Sequence, residues 1–94
     1  MDNTTDTPKL DWNSKELFTS FKKFKEHSEF MFKGPLASKT EEVHCNYLMI
    51  WAGEKGRQIH STWTLSDEEK KKLKTYYDKF KEYCKPKSNI MFSR

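Results

Sequence analysis

One stretch near the end of the chain, Trp63–Pro86, most strongly constrains what the chain can fold into. Ser66 and Glu69 form the S-x-x-E pattern of a capping box, in which each side chain bonds to a free backbone N–H group at the start of a helix. Apolar side chains then recur at spacings of three and four, at Leu73, Tyr77, Phe80 and Cys84. Pro86 cannot continue a helix. The stretch therefore predicts one helix from Ser66 to Cys84, with a narrow apolar stripe and a lysine-rich opposite face.

A second apolar stripe occupies the first third of the chain. Asn13 or Ser14 is the predicted start, because either side chain can accept hydrogen bonds from the first turn of a helix. The stripe consists of Leu17, Phe21, Phe24, Ser28, Met31 and Phe32. Phe30 lies off the stripe, and the Gly34-Pro35 pair ends the predicted helix.

The second helix is predicted to follow either Ser38 or Thr40, with Glu41 and Glu42 favourable in its first turn. Its body, VHCNYLMIWA, is apolar on nearly all sides, which is typical of a buried helix. One side carries Val43, Tyr47, Ile50 and Trp51, and the other carries Cys45, Leu48, Met49 and Ala52. We expect this helix to be the central element. A buried strand is the alternative, but the chain offers no alternating partner segment.

Gly53 and Gly56 interrupt the apolar run, and EKGRQIHSTW then predicts a short third helix that presents Ile59 and Trp63. Four short amphipathic helices with brief connections predict an all-α bundle. Residues 1–11 are predicted to be a flexible tail and residues 12–85 the helical lobe. The predicted core consists of Leu17, Phe21, Phe24, Val43, Tyr47, Leu48, Trp51, Ile59, Leu73, Tyr77, Phe80 and Cys84.

Composition supports one small domain with a lean core. The chain has 94 residues, of which 34% are hydrophobic and 15% aromatic, so a few large aromatic side chains must supply most of the buried area. The net charge of +4 comes from interleaved charges, as expected of solvated helix faces. Acidic residues 67–69 precede the longest basic run, Lys70–Lys72, so attraction to nucleic acid should be weak. A helical nucleic-acid-binding module is therefore only an alternative function.

The sequence predicts no catalytic, metal or cofactor site. Four residues could in principle bind a metal: His44, Cys45, His60 and Cys84. Structural zinc ligands usually come as close pairs, and only His44 and Cys45 are close. Adjacent residues of a helix point about 100° apart, which suits shared ligation poorly. The same pair is no catalytic dyad, because such pairs meet in space, and no glycine-rich phosphate loop exists. We expect a protein that is not an enzyme.

Two cysteines without a C-x-x-C pair indicate reduced thiols, although one disulfide remains an alternative. The polar N-terminus lacks the apolar run of a signal peptide, and no run of about 18 apolar residues exists to span a membrane. These features predict a cytoplasmic protein without membrane contact.

Several apolar residues have no place in the predicted stripes: Leu10, Trp12, Phe30, Ile90, Met91 and Phe92. Exposed apolar groups that cluster mark a surface for a partner. The predicted partner surface consists of Leu10, Trp12, Phe30, Trp63 and Phe92. The alternative is that Leu10 and Trp12 fold back onto the bundle and that the C-terminal tail is disordered.

The order of these features resembles the N-terminal lobe of the capsid region in Gag proteins of gypsy-type LTR retrotransposons, and in Arc-type host proteins derived from them. The similarity begins at PKLDW and continues through LFTSFKKFKEHSEF, which loosely matches a W-x-x-F-x-x-x-F helix. It is closest from Lys39 onward: E-E-V, an apolar helix that ends in glycine, a short helix that ends in an aromatic residue, an acidic-capped helix, and F-x-x-[YF]-C-x-P. The similarity covers about residues 8–94.

The resemblance implies a small orthogonal bundle of about four short helices that does no chemistry. Capsid lobes of this family pack against copies of themselves to form a shell around RNA, and Arc-type lobes also hold short apolar peptides in a groove, here expected near Leu10, Trp12 and Trp63. The segment Asn89–Arg94 is similar to the start of the second capsid lobe, so residues 86–94 are expected to be a linker into a lobe that this chain lacks. RNA contact would then require regions outside this chain, such as a zinc knuckle, and the chain would be a fragment or a shortened descendant.

Overall fold

A computed structural model describes residues 7–85 and contains three α-helices: α1 (Leu17–Lys33), α2 (Glu41–His60) and α3 (Leu73–Cys84). A short 3₁₀ turn, Glu69–Lys71, precedes α3, and residues 7–85 contain no strand. The all-α prediction is therefore confirmed, with three helices instead of four. Within these residues, no helix is both long and apolar enough to cross a membrane.

The first helix begins later than predicted, because the expected capping residue stabilises a turn ahead of it. Asn13 donates its backbone N–H group to the Asp11 carboxylate (3.0 Å), and Glu16 donates its backbone N–H group to the Ser14 hydroxyl (3.1 Å). Such local bonds compete with helix formation. The helical backbone consequently starts at Leu17 rather than at Ser14.

The second helix begins as predicted, since the Thr40 hydroxyl accepts a hydrogen bond from the Val43 N–H group at 3.2 Å. Gly53 then interrupts α2 with φ +80° and ψ −173°. Residues other than glycine rarely adopt this φ, because a Cβ atom makes it sterically unfavourable. The predicted second and third helices are therefore both helical, but they form one element with a break at Gly53.

Two side chains donate hydrogen bonds to backbone carbonyl groups close to this break. The Trp12 indole N–H donates to the Ala52 carbonyl oxygen at 2.8 Å. The Arg57 guanidinium donates to the Met49 carbonyl oxygen at 3.1 Å. The break in α2 is thus the point at which the N-terminal segment attaches to the helices.

The predicted helix from Ser66 to Cys84 is also interrupted. Its capping box forms, with the Ser66 N–H group donating to the Glu69 carboxylate (2.9 Å) and the Glu69 N–H group donating to the Ser66 hydroxyl (3.2 Å). However, it caps only the 3₁₀ turn. Lys72 is extended, with φ −109° and ψ 119°, and α3 begins one residue later. The prediction of one continuous helix was wrong.

Two hydrogen bonds stabilise this interruption, one to a residue of α2 and one within the segment. The Leu73 N–H group, at the start of α3, donates to the Glu41 carboxylate of α2 at 2.8 Å. The Tyr76 hydroxyl donates to the Lys70 carbonyl oxygen at 2.8 Å. Glu41 therefore lies in the first turn of one helix and satisfies a free donor at the start of another, a role that a sequence pattern within either helix does not reveal.

The third helix, rather than α2, is the central element, because α3 packs against both α1 and α2. The buried apolar side chains form one cluster: Leu10, Phe21, Phe24, Phe32, Cys45, Leu48, Ala52, Ile59, Tyr76, Tyr77, Phe80 and Cys84. Seven residues of the predicted core belong to it: Phe21, Phe24, Leu48, Ile59, Tyr77, Phe80 and Cys84. The sequence prediction had omitted Leu10, Phe32, Cys45, Ala52 and Tyr76.

Five residues of the predicted core are only partly buried. Leu17, Tyr47, Trp51 and Leu73 pack against the cluster from its edge, and Val43 is half-buried outside it. Ile50 lies on the same side of α2 as Val43 and is 63% exposed, whereas Leu48 on another side of the helix is fully buried. The prediction that α2 is buried all round was therefore wrong.

One polar side chain is fully buried in the core. The Ser28 hydroxyl donates to the Lys25 carbonyl oxygen at 2.8 Å, and its oxygen lies 2.6 Å from the Tyr77 hydroxyl. Because Ser28 has a single hydroxyl proton, Tyr77 must be the donor to Ser28. This chain of hydrogen bonds joins α1 to α3 and satisfies the buried polar atoms of both side chains.

Replacement of Glu41 should reveal its contact with α3. We expect Glu41→Ala to lower the free energy of unfolding by about 1 kcal/mol, because a free N–H group of α3 loses its acceptor. Glu42→Ala is the matched control, since Glu42 shares the first turn of α2 but not this contact. Urea unfolding monitored by circular dichroism measures both. Equal losses in the two variants would contradict the assigned role of Glu41.

Candidate functional site

The five residues of the predicted partner surface do not form one surface. Leu10 is only 7% exposed, and Trp12 and Trp63 are half-buried. Phe30 is 68% exposed on the opposite side of α1 from the core residue Phe21. Phe92 lies outside the described residues, as do Ile90, Met91 and the predicted linker 86–94.

Trp12 and Trp63 instead pack against the same core ring. Their ring centroids lie 5.9 Å and 4.9 Å from that of Phe80, in tilted and edge-on arrangements that aromatic pairs favour. Pro8 and Leu10 are buried as well, and the Asp11 N–H group donates to the Ser20 hydroxyl at 3.1 Å. Residues 7–11 therefore belong to the lobe, and the predicted flexible tail can include at most residues 1–6, which lie outside the described range.

A shallow cavity of about 510 Å³ lies beside this N-terminal segment. Leu10, Trp12, Leu17 and Tyr83 provide its apolar lining, and the Lys55 ammonium lies 5.9 Å from the centre of the Tyr83 ring. We call it the N-terminal cavity. Of the predicted groove near Leu10, Trp12 and Trp63, the first two residues line this cavity and Trp63 does not.

The sequence prediction overlooked an apolar surface on α2. Val43, Tyr47 and Ile50 follow one another at spacings of four and three, so they lie along one side of the helix. We call these three residues the α2 outer face. Ile50 is 63% exposed, and the other two are half-buried. The sequence already indicated such a surface. A helix that is apolar on all sides exposes one of them unless other elements pack against every side.

A second concave surface lies where the three helices meet. This three-helix cleft has a volume of about 520 Å³, and Phe32, Leu73 and Tyr77 provide its apolar floor. The His44 ring stacks on Phe32, with centroids 4.4 Å apart. A His44 ring N–H group donates to the Leu36 carbonyl oxygen at 2.7 Å, because a carbonyl oxygen can only accept. The cleft wall is thus held in place by the loop between α1 and α2.

The two cysteines are free and buried. Burial raises the pKa of Cys45 to about 12, with the nearby Glu41 and Glu42 carboxylates adding to the shift, and burial raises the pKa of Cys84 to about 11. Both therefore stay protonated at neutral pH, and a protonated thiol is neither a good nucleophile nor a metal ligand. Within residues 7–85, no three His, Cys, Asp or Glu side chains cluster in a way that could hold a metal ion.

His60 is a partly buried histidine between two aromatic rings, those of Trp63 and Tyr76, with centroid distances of 5.1 and 5.5 Å. Its Nε2 atom has no hydrogen-bond partner among residues 7–85. Burial lowers the pKa of His60, and the nearby Lys70 ammonium lowers it further. The geometry therefore favours the neutral imidazole as a packing group.

No model of a known protein family matches the chain, and neither the curated proteins nor the solved structures give a match. The similarity to Gag capsid lobes therefore stays a prediction from the order of the motifs. The structure contributes three surfaces that a functional proposal must use: the α2 outer face, the N-terminal cavity and the three-helix cleft.

The lowered pKa of His60 predicts a loss of stability in mild acid. In the unfolded chain the imidazole takes up a proton near pH 6.5, whereas in the folded chain it does so only at lower pH. Stability from this residue is thus complete above pH 6.5 and is lost as the pH falls through the folded-state pKa.

We expect the thermal midpoint of the wild-type chain to fall between about pH 7 and pH 5, and His60→Phe to reduce that fall, because phenylalanine keeps the ring but cannot bind a proton. Circular dichroism melts at a series of pH values measure both. The same pH dependence in both proteins throughout would contradict the assignment.

Proposed function

We propose that this chain is a non-enzymatic structural lobe of the Gag capsid type, which contributes to a capsid-like particle through weak contacts between copies. The observation that carries the proposal is the exposed α2 outer face. The order of motifs supports it: E-E-V opens α2, a glycine interrupts α2, and the capping box precedes α3. A cytoplasmic location belongs to the proposal and is supported by two free thiols, which suit a reducing compartment.

The α2 outer face has the chemistry of a contact between copies. Its three side chains are uncharged, and they form one stripe that can pack against the same stripe of a second copy across a twofold axis. Full burial of an isoleucine that was exposed contributes roughly 1.5–3 kcal/mol. A contact centred on one such residue is weak by itself. Weak contacts repeated many times nevertheless suffice to hold a shell together.

The proposal predicts association that depends on concentration and on Ile50. Sedimentation velocity of the chain should show an increasing weight-average mass between about 10 µM and 1 mM, the range in which small interfaces associate. We expect Ile50→Lys to abolish this increase, because a lysine in the contact would bury a charge.

Phe30→Lys is the matched control, because Phe30 is equally exposed but lies on α1, away from the stripe. It should associate like the wild-type chain. Monomeric wild-type protein across the whole range, or equal effects of the two substitutions, would contradict assembly through the α2 outer face.

A second candidate function, an Arc-type adaptor that binds short apolar peptides, is favoured by the N-terminal cavity. Two of the residues expected to line a peptide groove, Leu10 and Trp12, line this cavity, and its volume is within the range of pockets that bind ligands. An adaptor would act as a monomer, whereas a capsid lobe would not. The two proposals therefore differ in an observable property.

The adaptor hypothesis predicts that apolar peptides change the fluorescence of Trp12. We expect the signal to appear in a Trp51→Phe, Trp63→Phe background, which leaves Trp12 as the only tryptophan. Tyr83→Ser should weaken the response, because Tyr83 lines the cavity and is 43% exposed. No response from a panel of proline- and aromatic-containing peptides at millimolar concentration would rule out this function.

A further inference from the structure

We propose that the three-helix cleft binds a short acidic peptide segment of another protein, which places one aromatic side chain on the apolar floor and pairs a carboxylate with Lys33. This site is separate from both surfaces of the proposed function. It shares no lining residue with the N-terminal cavity or with the α2 outer face. The inference holds whether or not the chain assembles.

The floor of the cleft suits an aromatic or large aliphatic side chain. Phe32 and Tyr77 are each 6% exposed and Leu73 is half-buried, so the floor is firmly packed from below. All three project from helices, and helices hold a binding surface more rigidly than loops do. The volume of about 520 Å³ is within the range of pockets that bind peptide anchors and small ligands. An aromatic anchor in such a pocket is the usual centre of a binding interface.

The rim of the cleft decides the charge of the occupant. It carries three lysines and two carboxylates. Both carboxylates already have a lysine partner: Lys25 lies 3.1 Å from Glu29, and Lys74 lies 2.8 Å from Asp78. The fifth charged group, Lys33, is exposed at the last turn of α1 and forms no ion pair among residues 7–85.

The rim therefore has one lysine more than it has carboxylates, and that lysine, Lys33, is left without a partner among residues 7–85. A carboxylate beside the anchor residue would complete a third ion pair, whereas a basic peptide would meet an unpaired lysine and two engaged acids. An uncharged apolar segment would pack against the floor but would leave Lys33 unpaired. An acidic segment with a single aromatic residue satisfies both features of the cleft.

A titration of the full chain with the N-acetylated tripeptide amide Glu-Phe-Glu tests the proposal. In ¹H–¹⁵N spectra of the labelled protein, we expect the backbone amides of Phe32, Leu73 and Tyr77 to shift in a saturable manner. The affinity should fall as salt is raised, because the ion pair lies at the surface. Lys33→Glu should weaken binding about tenfold or more, which corresponds to one exposed charge pair replaced by a repulsive one.

The controls separate the two features of the cleft. Lys23→Glu makes the same charge change on α1 at an exposed position that does not line the cleft, and it should bind like the wild-type chain. Lys-Phe-Lys tests the charge of the ligand and Glu-Ser-Glu tests the aromatic anchor; both should bind at least tenfold more weakly.

Three results would overturn the proposal. The first is that Glu-Phe-Glu shifts no amide of the cleft. The second is that Lys-Phe-Lys binds as tightly as Glu-Phe-Glu, because the rim would then have no charge preference. The third is that the cleft amides shift on concentrating the protein without peptide, because the occupant would then be a second copy of the chain.

Discussion

The ring of Phe80 is the point on which the rest of the lobe depends. It is fully buried, and Trp12 and Trp63 pack against it. Gly56 lies beside this ring: a Cβ atom there would be at an ordinary contact distance of 3.6 Å from the Phe80 ring, but too close, at 2.5 Å, to the Ala52 Cβ atom. The N-terminal segment, the second half of α2 and α3 therefore meet around one aromatic side chain, which explains how so few apolar residues hold the lobe together.

The polar groups of two large aromatic side chains form hydrogen bonds that fix how the elements of this small core are oriented. The Trp12 indole donates to the Ala52 carbonyl group beside the break in α2, and the Tyr77 hydroxyl donates to the buried Ser28. Each bond satisfies a backbone or side-chain group that would be costly to bury unpaired. These bonds hold the N-terminal segment against α2, and α3 against α1. On α2, Leu48 is fully buried in the core, while Ile50 remains 63% exposed.

The surfaces that result differ in chemistry. The α2 outer face is an uncharged stripe suited to self-contact, whereas the three-helix cleft combines an apolar floor with an excess lysine. The two surfaces share no residue, although His44 of the cleft directly follows Val43 of the α2 outer face along the chain. The cleft suits a partner that brings a further carboxylate, because Glu29 and Asp78 of the rim are already paired with lysines.

The sequence was sufficient to predict the helical class, the Thr40 cap, the capping box at Ser66 and most of the deep core. The spacing of apolar residues and the capping of helix ends are local properties of the chain. The break at Lys72 and the exposure of Ile50 did not follow from it, and the sequence left open whether Leu10 and Trp12 fold back onto the bundle. Each outcome depends on residues distant in sequence: Glu41 accepts from Leu73, Phe80 packs against Trp12, and α3 rather than α2 is central. A pattern of apolar residues specifies which elements have a side to bury. Only the tertiary arrangement decides which of those sides is covered and which remains for a partner.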